Sequence, residues 1–208
     1  MLKILGKIPS CHFHIACSGG PDSMTLVDYI RHWPKNSFDI LHFNHGTKYC
    51  DEAESFVKEY CEKKNIKCYV GYINGKKPKN QSTEEFWRIQ RYNFLSMFSS
   101  EPILMAHHLN DVIETWVMTS MCGNPKLIPY NNKRYNIFRP FLCVPKSQIE
   151  DWIVRHNLSY VTDGSNFDLK IKRNYVRHKI MEHIYHINPG IEKTIKKLVI
   201  QSTKQEGV

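Results

Sequence analysis

The sequence predicts an α/β protein, a parallel sheet with helices on both faces, followed by a small C-terminal helical extension. Three observations carry that expectation. Short apolar runs alternate with amphipathic helical stretches between residues 12 and 106, the pattern of strands joined by crossover helices. The run His12 to Cys17 passes directly into Ser18-Gly19-Gly20-Pro21-Asp22-Ser23 and then into a helical segment, giving a strand, a glycine turn and a helix start in succession. Asn44-His45 and His107 to Glu114 also follow strands directly, and parallel sheets bind ligands beyond the carboxyl ends of their strands.

The elements follow in order. Met24 to Ile30 suits the first helix, Phe38 to His45 the second strand, and Asp51 to Lys64 a helix with Ala53, Phe56, Val57, Tyr60 and Cys61 inward. Ile66 to Ile73 reads as the third strand, Asn74 to Gln81 as a polar, basic loop, Thr83 to Phe98 as a helix and Ile103 to Ala106 as a short fourth strand. From Cys122 to Asn136 the composition turns to Gly, Asn, Pro and basic residues, which marks a loop and divides the chain into residues 1–135 and 136–208. Pro145 suits the start of a helix reaching Asn157; a turn at Asp163-Gly164-Ser165-Asn166 and helices over Asn174 to His186 and Gly190 to Ser202 follow.

A net charge of +9 and a pI near 9.1 over 208 residues point to a polyanionic partner. The seven cysteines never form a Cys-x-x-Cys pair, which argues against a zinc ribbon or a thioredoxin-type site. Lys3, Lys7 and Pro9 interrupt the N-terminal apolar residues, and no later apolar run approaches membrane-spanning length. The expectation is a cytoplasmic protein with reduced thiols and no membrane association. Oligomeric state leaves no signature.

The chemistry-bearing residues begin at Ser18 to Ser23. Two successive glycines turn without a Cβ clash, so several backbone N–H groups can face one point where the helix dipole adds positive potential, and phosphate oxygens are the natural guest. No Gly-Lys-Ser/Thr closes the loop, so it is not a Walker A motif. Asp22 suits either a helix cap or a Mg²⁺ ligand. Asp111 and Glu114, three residues apart at a helix start, share one face and suit metal binding or proton handling beyond a dipole role. His42, His45, His107 and His108 fit phosphate or base contacts better than a zinc site. Arg88 and Arg91 lie on one helix, and either can make surface pairs. Arg139 precedes Pro140, and Arg173 and Arg177 stack on one helix face, which suits phosphate contacts.

The Ser-Gly-Gly-Pro-Asp-Ser stretch resembles the loop of the N-type ATP pyrophosphatases, or PP-loop proteins, which grip the pyrophosphate of ATP during adenylation. In their order, Asn44-His45-Gly46, Glu84 with Arg88, Arg91-Tyr92, His107-His108 with Asp111 and Glu114-Thr115, Arg139-Pro140, Asp163 with Ser165-Asn166 and Asp168, Arg173-Asn174 and Arg177-His178 resemble the catalytic N-terminal domain of the tRNA(Ile)-lysidine synthetase family over residues 12 to 190. The resemblance implies an adenine nucleotide alpha hydrolase-like, Rossmann-like fold. It implies an enzyme that uses ATP with Mg²⁺ and free lysine to convert the wobble cytidine of isoleucine tRNA with a CAU anticodon into lysidine through an adenylated tRNA. It further implies ATP binding by Ser18, Gly19, Gly20, Pro21, Asp22 and Ser23, and catalytic roles for Asp22, Asp111, Glu114 and Arg88. Asn44, His45, His107 and His108 would contact the nucleotide, Arg139, Arg173 and Arg177 the tRNA, and Asp22 or Asp111 would hold Mg²⁺.

Three departures from the family pattern stand out: Asn110 replaces the first of two adjacent Asp, Thr47-Lys48 replaces a Leu-Arg pair, and the chain ends early where longer relatives carry C-terminal domains that help bind tRNA, so the expectation is a minimal form. The competing readings are a tRNA-thiolating relative, disfavoured by the missing paired cysteines, and a non-catalytic RNA-binding remnant.

Overall fold

The computed structural model describes residues 2–33, 37–162 and 164–205; Asp163 lies outside them, as do the side chains of Ser165 and Asn166. The chain starts its sheet with β1 (Phe13–Ala16), β2 (Phe38–Asn44), β3 (Cys68–Tyr72) and β4 (Ile103–Leu104), all parallel. A hairpin adds β5 (Asn131–Asn132) and β6 (Ile137–Phe138), giving the order β3-β2-β1-β4-β6-β5. The sheet is therefore mixed: β6 runs parallel to β4, and β5 is an antiparallel edge. Strands of two residues carry no period-2 pattern, which is why this stretch reads as loop in the sequence. The 135/136 boundary falls inside this hairpin.

Helices α1 (Pro21–Arg31), α2 (Lys48–Lys64), α3 (Thr83–Ser96), α4 (Leu109–Ser120) and α5 (Lys146–His156) connect and flank the strands. Adjacent residues of β2 show the two layers. Ile40 packs with Leu26 and Val27 of α1, Val57 and Cys61 of α2 and Ile149 of α5, whereas Leu41 packs with Tyr92 and Leu95 of α3, as the alternation of a strand requires. On α2, Ala53, Val57 and Cys61 are buried while Phe56 and Tyr60 pack partly buried against the same core. Gly71 lets β3 approach α3 closely, since a Cβ there would sit 2.5 Å from the Phe94 ring.

The C-terminal part continues as α6 (Lys172–Tyr175), one π turn (Val176–Ile180), α7 (Met181–Ile187) and α8 (Ile191–Gln205). It packs on α4 through Ile191, Ile195 and Val199 against Leu109, Val112, Ile113 and Val117. Where periodicity predicts one helix over Asn174 to His186, the chain widens into the π turn that carries Arg177. No helix among the described residues is long and apolar enough to cross a membrane.

Candidate active site

The loop after β1 is held by its own side chains. Ser23 Oγ donates to the Gly20 carbonyl at 3.0 Å and accepts from the Ser18 N–H at 3.2 Å, and Ser18 Oγ lies 3.2 Å from Ser23 Oγ. Gly19 sits at φ +82°, a left-handed conformation that disfavours other residues, and a Cβ there would also stand 3.2 Å from Val57. Gly20 caps α1 without a side chain and Pro21 occupies the first turn, so the first N–H groups of the helix face outward from the sheet's carboxyl end. The loop has the shape of an anion cradle.

Beside it, α4 follows β4 after four intervening residues and carries its own acids. Asp111 accepts from the His108 N–H at 3.0 Å, and His108 Nε2 stands between two carboxylates, 3.6 Å from Asp111 and 3.7 Å from Asp22. Glu114, 3 % exposed, is the deepest acid of the site. Two arginines from the C-terminal helices reach across to these acids. Arg177 donates through Nε to Glu114 Oε1 at 2.7 Å and through Nη2 to Oε2 at 2.9 Å; Arg173 Nε donates to Oε2 at 3.1 Å. Both guanidinium groups also reach Asp111 Oδ1, at 3.2 and 3.3 Å. The π turn and the i, i+4 spacing bring the two side chains onto one pair of acids.

These contacts set the protonation states. Burial pushes the Asp111 carboxyl up, but His108, Arg173 and His107 outweigh it and hold it at about 2. Burial drives His107 down to about 3, aided by Arg139, Arg173 and Arg91 against the pull of Asp111. At neutral pH the site therefore offers an ionised Asp111 and a neutral His107. Burial lowers Arg177 while Glu114 raises it, and the pairing wins.

Asp22 Oδ1 accepts from Lys146 Nζ at 2.5 Å. Lys146 opens α5, and its N–H donates to Asn110 Oδ1 at 2.8 Å, while Asn110 Nδ2 donates to the Tyr185 hydroxyl at 2.9 Å. Asn110 thus ties α4 to α5 and α7. A cleft of about 290 Å³ opens here, lined by Asp22, His108, Asn110, Glu114, Lys146, Arg177 and Tyr185 among others. A larger hollow of about 400 Å³ beside β3 and α3, lined by Tyr72, Asn74, Gln90, Asn93, Phe94 and Met97, contains no acid, base or cation of the expected set. The ionisable residues of the expected set that line a cleft, Asp22, His108, Glu114 and Arg177, line the smaller one.

Other expected residues lie elsewhere. Arg139, expected to contact tRNA, is 3 % exposed, and its guanidinium donates to the Pro129 carbonyl at 2.8 Å and the Tyr92 hydroxyl at 3.3 Å, so it presents little surface of its own. Arg88 is exposed on α3, its guanidinium 5.6 Å from the Tyr92 ring and outside the cleft lining, whereas Arg91 on the same helix is the one whose charge acts on His107. Asn44 spends its amide on Asp51 and Glu54, at 2.9 and 2.8 Å, and on the Gly46 N–H, bracing the turn into α2. His45 packs on Trp87, ring centroids 5.2 Å apart. Arg173 and Arg177, expected to contact tRNA phosphates, pair with Asp111 and Glu114, and Arg177 lines the cleft. The sequence reading passed over Lys146 and Tyr185; a lysine at a helix start opposite to the dipole preference was the available signal for Lys146.

The PP-loop domain family matches residues 1–184. The chain is 31% identical over 201 residues to the tRNA(Ile)-lysidine synthase of Thermotoga maritima, covering 90% of this chain and 49% of that protein. It is 33% identical to that of Pseudothermotoga lettingae, covering 88% and 44%, and 31% identical to that of Mycoplasma mycoides, covering 89% and 51%. The chain spans about half the length of these relatives. Among solved structures, a U34-tRNA thiolase from Methanococcus maripaludis superposes with a TM-score of 0.75 at 15% identity, covering 93% of this chain and 72% of that one. The NH3-dependent NAD synthetase of Campylobacter jejuni gives 0.53 at 11% identity, covering 97% and 86%. Both likenesses concern the fold. With its glycine loop at the end of β1, its mostly parallel sheet and a family match over most of its length, the chain belongs to the PP-loop domain family.

Proposed function

We propose that this protein is a tRNA(Ile)-lysidine synthetase that adenylates the wobble cytidine of isoleucine tRNA with a CAU anticodon and replaces the adenylate with lysine. The observation that carries the reading is that Asp22 of the Ser18 to Ser23 loop lines one cleft with Glu114, while His108 Nε2 stands between Asp22 and Asp111. The names of the relatives point the same way.

In this reading the loop N–H groups and Lys146 hold the pyrophosphate end of ATP. Cytosine O2 forms a bond to the α-phosphorus as the bond to pyrophosphate breaks. An amine of lysine then bonds to C2, the C2–O bond breaks, and AMP leaves with the electron pair; AMP is a far better leaving group than oxide. Lysine arrives as ammonium, so a carboxylate must attract it and a base must take its proton. Asp22, Asp111 and Glu114 are the carboxylates at hand for these two roles, with Asp111 and Glu114 held in position by Arg173 and Arg177. The carboxylate of Asp22 suits Mg²⁺, which binds hard oxygen donors and needs only one or two protein carboxylates when phosphates provide the rest. Asp111 fits less well, because His108, Arg173 and Arg177 already engage its oxygens. Mg²⁺ bound there would screen phosphate charge as pyrophosphate departs.

Incubation of the purified chain with ATP, labelled lysine and tRNA bearing a CAU anticodon, followed by nucleoside analysis, tests the reading. Lysine-dependent and ATP-dependent conversion of the wobble cytidine is expected. ATP-dependent sulfur incorporation in its place would assign the chain to the thiolating class.

A further inference from the structure

At the opposite end of the sheet from the cleft, two histidines flank Phe13 at the start of β1, and no part of the proposed reaction uses them. His12 and His14 are two apart, so they project to one face of the strand. His14 pairs in register with Asp39 of β2, and Glu101 lies just ahead of β4. One donor atom each from His12, His14 and Asp39 fall within 4.8 Å of one another. His12 Nε2 is 3.3 Å from Asp39 Oδ2 and 3.8 Å from Glu101 Oε2, and His14 Nε2 is 3.0 Å from the same Glu101 oxygen.

We propose that His12, His14, Asp39 and Glu101 form a binding site for one divalent transition-metal ion of the zinc type. Zinc bonds of about 2.0–2.2 Å to nitrogen and oxygen place tetrahedral neighbours about 3.3–3.6 Å apart, and the nitrogen–oxygen separations of 3.0, 3.3 and 3.8 Å bracket that range. Two imidazoles with two carboxylates suit such an ion in charge and in donor type. The surroundings add the outer contacts that a metal histidine uses: His12 Nδ1 lies 2.9 Å from Ser37 Oγ, which leaves Nε2 directed at the acids. His14, 5 % exposed, stands edge-on to Phe98 at 5.1 Å and to Tyr69 at 6.4 Å, a dry wall behind the ion, while Glu101 remains open to solvent as the entry side. A second group, Asp28 with His32 and His156, is a poorer candidate, since Asp28 Oδ2 already accepts from Trp152 Nε1 at 2.9 Å and only one carboxylate is present.

The test uses the full chain without an affinity tag, stripped with a chelator under reducing conditions and titrated with Co²⁺ and then Zn²⁺. One equivalent of Co²⁺ should give the visible d–d absorption of a four-coordinate ion without thiolate-to-cobalt charge transfer, and Zn²⁺ should displace it. Zn²⁺ affinity should fall by at least about 100-fold, the upper end of what outer contacts alone provide, in His12→Gln and in the near-isosteric Asp39→Asn/Glu101→Gln protein. Circular dichroism checks that each variant is folded. Undiminished affinity in those folded variants, a thiolate charge-transfer band, or no bound cobalt in the unsubstituted chain would each overturn the proposal.

Discussion

Arg177 holds both carboxylate oxygens of Glu114, at 2.7 and 2.9 Å, from a π turn that lies 63 residues further along the chain. Breaking it strands a buried acid with a single remaining arginine. Arg177→Ala should therefore destabilise the fold by about 1–3 kcal/mol, the cost of an under-satisfied buried group. Paired replacement of Arg177 and Glu114 by Met should cost less than the single change, because no charge is left unpaired. Urea unfolding of the single and double variants measures the difference; equal stability of Arg177→Ala and the unsubstituted protein would show that the pair contributes nothing.

Lys146 on Asp22 provides the second prediction. The pair is partly exposed, 29% and 34%, so Lys146→Met should change stability by less than about 1 kcal/mol. If Lys146 serves the pyrophosphate end of ATP, the same variant should weaken ATP binding by at least about tenfold, or about 1.4 kcal/mol. Calorimetric titration with a non-hydrolysable ATP analogue reads this directly, and unchanged affinity would confine Lys146 to a structural ion pair.

The third concerns pH. His107 is held near 3 in the folded chain against an ordinary value of 6.5, so the unfolded chain binds more protons between those values and stability is lost as pH falls through that window. Asp111, held near 2 against 3.8, contributes stability that is present above 3.8 and is lost as pH falls towards 2, on the order of 2 kcal/mol in all. His107→Asn should flatten the stability profile between about pH 6.5 and 3. Asp111→Asn should flatten it only below about pH 4. Identical acid profiles in both variants and the unsubstituted chain would contradict these protonation states.

With Arg173 and Arg177 engaged by acids, RNA affinity should rest on other cations, among them the exposed Lys193 and Lys197 of α8. Replacing both by Gln should lower the salt slope of tRNA binding by about 0.7–0.9 per lost phosphate contact. Filter binding across a salt series detects it, and an unchanged slope would move the RNA surface away from α8.

The strand, glycine turn and helix start of Ser18 to Ser23 were legible because every determinant is local: an apolar run, two glycines and a proline at the first helical turn. Asp111 and Glu114 were legible for the same reason. What stayed hidden was tertiary. Nothing near Arg173 or Arg177 in sequence announces acids 59 or more residues away, and Lys146 meets Asp22 across 124 residues. Arg88 and Arg91 share a helix, and only packing separates the exposed one from the one that influences His107. β5 and β6 escaped because two-residue strands rely on their neighbours and have no pattern of their own.

The central claim is that the cleft joining the glycine loop to the acids of α4 transfers lysine to tRNA at the expense of ATP. Its most direct test is a single-turnover assay of labelled lysine incorporation into tRNA with a CAU anticodon, comparing the unsubstituted chain with Asp22→Asn. Incorporation that requires ATP and drops by more than about 100-fold in Asp22→Asn, about 2.7 kcal/mol of transition-state stabilisation, with melting temperature retained, is the predicted result. Absence of lysine incorporation by the unsubstituted chain, or equal rates in the two proteins, would contradict the account.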